Sequence, residues 1–156
     1  MQPTRAQRLA VPALLLALAC GAAEAQGQPT KGEQTLKYRK AVYQAIAWNF
    51  GPMGAMAQGK APYDAAEFSL RAGRVAALTP MLAESYSPET QGVGGSKAKA
   101  ELWSNRADFD AKMKDLVDRS ATLAVVAKGR DEAQTKAAFF DTANACKACH
   151  DKYKAD

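Results

Sequence analysis

The chain has 156 residues, with 21 Lys and Arg against 16 Asp and Glu and a formal charge of +5. That length suits one domain with a single core, and no apolar stretch reaches the roughly 20 residues that a membrane-spanning helix needs. The charge excess is mild and not gathered on an aromatic-interleaved basic face, which argues against nucleic acid as a partner.

Arg5 and Arg8 precede an apolar run from Leu9 to Ala19, and Ala23-Glu24-Ala25 is a small-x-small cleavage signal ahead of Gln26. This predicts a secretory signal peptide over residues 1–25 and a mature domain over residues 26–156. Cys20 falls in the discarded segment, and Ala17-Leu18-Ala19 before it lacks the upstream Leu of a lipid-modified start. Removing 25 of the 156 residues leaves 131, and the loss of Arg5, Arg8 and Glu24 brings the charge to +4.

Four segments of helical period follow, and no period-2 alternation competes with them, so the chain reads as all-α. The first predicted helix begins at about Gly32 and places Leu36, Tyr43, Ile46, Phe50 and Met53 on one stripe. It is expected to end or kink at Gly51-Pro52, because Pro52 has no N–H for the carbonyl of Trp48. The second opens after Pro62-Tyr63, where Asp64 and Glu67 have capping-box spacing. It buries Phe68, Val75, Leu78 and Leu82 and is expected to fade near Pro80.

Residues 85–96 are rich in Ser, Pro and Gly and form the one long connection. The third helix starts near Ser104 or Asn105 and carries Phe109, Met113, Leu116, Ser120, Leu123 and Ala127 at alternating steps of four and three, then stops at Gly129. The fourth starts at Asp131 with Gln134 as capping partner and aligns Phe139, Ala143, Cys146, His150 and Tyr153. Steps of three and four belong to helices packed nearly parallel, and two short links with one long one fit a four-helix bundle.

Cys146-Lys147-Ala148-Cys149-His150 is the pattern of c-type haem attachment. On a helix the two cysteines lie one turn apart on one side, so both sulfurs reach the two vinyl positions along one porphyrin edge. His150 follows Cys149 directly and is delivered to the iron once the thioethers fix the plane. A zinc site would need more protein ligands, and His150 is the only histidine in the chain. A thioredoxin-like redox pair would need a βαβ setting. One covalently bound haem c, held by Cys146 and Cys149 with His150 on the iron, is the expected cofactor.

The sixth iron position decides between electron transfer and gas binding. The mature methionines are Met53, Met56, Met81 and Met113. Met53 lies ten residues, about 15 Å of helix, beyond Tyr43, and the others fall in loop-flanking or opposite-helix positions. A five-coordinate iron is therefore expected.

The attachment motif near the C-terminus and the four-helix pattern come with Tyr38-Arg39-Lys40 and Phe50-Gly51 followed by Met53. Ala61-Pro62-Tyr63-Asp64-Ala65-Ala66 and Leu102-Trp103-Ser104 complete an ordered set. Together they make the mature chain resemble cytochrome c′, the high-spin class II cytochromes c. The resemblance implies an antiparallel four-helix bundle with covalently bound haem near one end, and a homodimer through the first two helices. It puts Arg39 and Lys40 beside the haem, Arg39 against the propionates, and Tyr43 over the distal iron face as a crowding group. Lys154 matches a position where several relatives carry a basic residue, and haem contacts from Ser87 to Ser96 are not carried over.

The expected function is that of a non-enzymatic periplasmic haem protein binding nitric oxide and carbon monoxide, in protection from nitrosative stress. The rival is a periplasmic electron carrier, with Lys147 and Lys152 forming a docking patch for a redox partner.

Overall fold

The computed structural model describes residues 27–155, so the predicted signal peptide, Cys20 included, lies outside the described residues. Helix α1 spans Lys31–Ala57, α2 Ala65–Glu84, α3 Glu101–Ser104, α4 Arg106–Lys128 and α5 Glu132–Tyr153. α3 is a single turn; the other four build the bundle. Their starts follow local chemistry. Asp64 accepts from the amides of Ala66 and Glu67, and Asp131 accepts from that of Gln134. At α1, Thr30 and Glu33 cap each other reciprocally. α4 ends at Gly129 with right-handed backbone, and the left-handed conformation falls instead on Arg130, at φ 59°.

Two hydrophobic clusters fill the interior. One joins Met53, Met56 and Ala57 of α1 to Phe68, Ala72 and Val75 of α2, Leu123 and Ala127 of α4, and Phe139 of α5. The other joins Val42, Leu82, Tyr86, Phe109, Met113, Ala145, Cys149 and Tyr153. The late part of α1 thus meets the early part of α2, and the late part of α4 meets the early part of α5, as alternating helix direction requires. The molecule is an antiparallel four-helix bundle. All six residues of the predicted stripe on α4 are buried.

Neither proline ends its helix. α1 continues through Pro52 and α2 through Pro80. Pro52 deprives the Trp48 carbonyl of its helical partner. Arg71, across on α2, supplies a replacement: its Nη1 donates to Trp48 O at 3.0 Å while Glu67 holds the other edge of the guanidinium.

The long connection is also more ordered than its composition suggests. It contains a 3-10 turn, Pro88–Thr90, and then α3. Gly32 allows that turn to sit on α1, since a Cβ at this position would collide with the Glu89 carbonyl. Where the connection nears its end, Lys99 N donates to Tyr153 O and Ala155 N to Lys97 O, both at 2.9 Å. These bonds tie residues 97–99 to the end of α5. Among the described residues, no helix is long and apolar enough to cross a membrane.

Candidate haem site

α1 and α5 are neighbours that pack only lightly, in contrast with the other adjacent pairs of the bundle. Two cavities that both reach His150 open between them. The larger, of about 540 Å³, is lined by Arg39, Lys40, Tyr43, Tyr86, Cys149 and His150 among others. A smaller one of about 240 Å³ reaches inward past Ile46, Phe50, Met113 and Cys146. Tyr43, Ala47, Cys149 and His150 line both. The larger cavity lies within the size range of cofactor pockets.

This gap explains a shift in the predicted stripe of α1. Leu36 and Met53 are buried as expected, but Tyr43, Ile46 and Phe50 are only half-buried. They face the cavities, while Arg39, Val42 and Asn49 are buried.

Cys146 and Cys149 are free thiols one turn apart. Burial pushes both thiols above the usual thiol range. His150 is exposed on the same face. Partial burial, followed by nearby Lys154, lowers its pKa and favours the neutral imidazole that ligates iron. The Tyr43 ring stands across from it, with centroids 6.4 Å apart and planes tilted by 52°.

Arg39 is 3% exposed. Its Nη2 donates to Ser85 O and Thr90 Oγ1, both at 2.6 Å, and its guanidinium lies 3.8 Å over the Tyr86 ring. Desolvation lowers its pKa. Among the described residues, no carboxylate forms an ion pair with it. A buried cation lacking an anion is costly, and this one lies in the cavity wall, where an acidic group of a bound molecule would meet it. Two thiols on one helical face, a neutral imidazole, a mostly apolar cavity and an uncompensated guanidinium at its edge fit a porphyrin with acidic side chains.

The sequence-predicted residues Arg39, Lys40, Tyr43, Cys146, Cys149 and His150 therefore converge on the adjoining cavities. Lys40 and Lys154 stand exposed at the rim. The connection contributes Gly95 and Ser96 and, just beyond them, Lys97 and Ala98. Tyr86 escaped the sequence reading, because it sits in a polar stretch with no period to mark it. Of the methionines, Met53 and Met56 belong to the far cluster and Met81 is exposed, whereas Met113 lines the smaller cavity.

Residues 34–154 match the family model described as Cytochrome C'. The cytochrome c′ of Rubrivivax gelatinosus is 37% identical over 124 residues, covering 80% of this chain and 96% of that protein. A solved structure of cytochrome c prime from Shewanella frigidimarina shares 44% identity with a TM-score of 0.78, covering 83% of this chain and all of that one. A nitric oxide complex of a point variant of the Alcaligenes xylosoxidans protein shares 32% identity with a TM-score of 0.74, covering 83% of this chain and 100% of that one. By the family match over residues 34–154 and by these relatives, the chain belongs to the cytochrome c′ family and has haem c as its cofactor.

Proposed function

We propose that the protein is a periplasmic, non-enzymatic haem protein that binds nitric oxide and carbon monoxide and protects against nitrosative stress. The haem iron supplies a coordination position for a diatomic ligand. Cys146 and Cys149 would hold the haem covalently, and His150 would bind its iron. Arg39 would pair with a propionate, with Lys40 at the rim, and Tyr43 would stand over the side away from His150. The observation that carries this reading is Tyr43 standing across from the only histidine, a bulky group that crowds the iron where a strong ligand would otherwise sit. The nitric oxide complexes of the Alcaligenes xylosoxidans relative support it.

The exposed side chains of Tyr38 and Trp48 on α1 and of Leu70 and Met81 on α2 support a homodimer through the first two helices. The predicted leader over residues 1–25 supports export. One observation favours the electron-carrier reading, namely Met113 in the wall of the smaller cavity. Against it, the expected docking lysines are engaged: Lys147 with Asp151, and Lys152 with Asp108.

The test is the optical spectrum of the haem-loaded protein, ferric and dithionite-reduced, with and without nitric oxide. A high-spin ferrous spectrum that shifts with gas is expected. Sharp low-spin bands indifferent to gas would replace this reading with the electron carrier.

A further inference from the structure

Tyr43 is tied at its tip. Its hydroxyl lies 2.9 Å from that of Tyr86, and the two satisfy each other within the protein. Tyr86 is fixed in turn. Arg39 covers its ring at 3.8 Å, Phe109 meets it edge-on with centroids 4.7 Å apart, and Arg106 Nη1 donates to its carbonyl at 2.7 Å. Arg39 is itself clamped by Ser85 and Thr90. Residues from α1, the long connection and α4 thus hold Tyr86, and Tyr86 meets the tip of Tyr43.

We propose that Tyr86 is a positioning residue for the ligand-binding face: its hydroxyl latches Tyr43 in place and so sets how strongly a diatomic ligand is excluded. This deepens the gas-binding reading and rests on it. A ligand entering between Tyr43 and the iron must push the Tyr43 ring aside. Swinging the ring carries its hydroxyl away from Tyr86 and breaks their part-buried hydrogen bond, a cost that apolar crowding alone would not impose. The latch therefore adds to the barrier for every ligand bound on that face, independently of the ligand's polarity.

The experiment uses carbon monoxide and the reduced, haem-loaded protein in four forms: parent, Tyr86→Phe, Tyr43→Phe and the double variant. Both single variants keep an aromatic ring and delete the same hydrogen bond from opposite ends. Each should raise the association rate by about tenfold, the scale of one neutral hydrogen bond, and the double variant should add nothing further. Ultraviolet resonance Raman supplies a second readout. Tyrosine bands of a hydroxyl-bonded pair should be present in the parent, change when carbon monoxide binds, and be missing from both single variants.

Should Tyr86→Phe fold poorly, Tyr43→Phe carries the test alone. Unchanged rates in folded single variants, or additive increases in the double variant, would overturn the role of Tyr86 while leaving gas binding intact. A parent that takes up no carbon monoxide would instead overturn the gas-binding reading, and the latch with it.

Discussion

Arg39→Met separates a structural cation from one that waits for an anion. The substitution keeps length and apolar stem but leaves the Ser85 carbonyl without its 2.6 Å donor and Thr90 Oγ1 with only the bond it donates to Ser87. An orphaned buried acceptor costs about 1–3 kcal/mol, and losing the stack on Tyr86 adds about 0.5–2 kcal/mol. Against this, the buried charge no longer has to be desolvated. The net loss in a haem-free chain is about 2–4 kcal/mol by these magnitudes. For a domain of about 130 residues, unfolding entropy is about 0.27 kcal/mol per kelvin, so Tm should fall by about 7–15 °C. In the haem-loaded protein a carboxylate also loses its guanidinium, and the deficit should grow by about 1.5–3 kcal/mol. Thermal melts of the two forms, each against its parent, measure both quantities. Equal deficits would refute the propionate pairing, and a drop under about 2 °C in both would refute the energetic argument altogether.

Thr79 and Ser120 share a buried hydrogen bond of 2.8 Å between α2 and α4, so Ser120→Ala or Thr79→Val alone should cost about 1–3 kcal/mol. The double variant should cost less than the sum of the two, as read from urea denaturation. Asp108 accepts from Tyr153 and Lys152, which hold its pKa below the usual carboxylate value, chiefly through Tyr153. A depressed pKa contributes stability above the unfolded value of about 4, and this is lost as pH falls through the folded one. The Tm difference between parent and Asp108→Asn should therefore shrink between pH 5 and pH 3, and a constant difference would contradict the linkage. Arg130→Gly should stabilise the chain by about 0.5–1 kcal/mol, because glycine occupies left-handed backbone without steric cost; a Tm that does not rise would count against that assignment.

What was legible in the sequence is what neighbours along the chain determine. Asp64 and Asp131 cap helices through residues two or three positions away, and the α4 stripe needs only its own period. The attachment motif is five consecutive residues. Thr30 with Glu33 carried the same kind of local signal and marks the true start of α1. What was not legible depends on partners far apart in sequence. A stripe does not say whether it faces side chains or a cofactor's space, so period alone could not tell Tyr43, Ile46 and Phe50 from core positions, and only the family resemblance set Tyr43 over the iron. Tyr86 is buried by Arg39 and Phe109, neither of which its own surroundings announce. Pro52 is a stop signal in isolation, yet α1 runs through it with Arg71 opposite as a donor to the Trp48 carbonyl.

That last pairing also serves as an index mark between two helices. Apolar contact is non-directional and does not by itself fix the height of α1 along α2. Pro52 creates one bare carbonyl at one height on α1, and Arg71 offers its guanidinium at one height on α2. Displacement by a turn, about 5.4 Å, would part them and leave the carbonyl without its donor on α2. The proline that costs α1 a hydrogen bond thus helps to fix the height at which Arg39 and Tyr43, on the same rigid rod, meet the connection that follows α2.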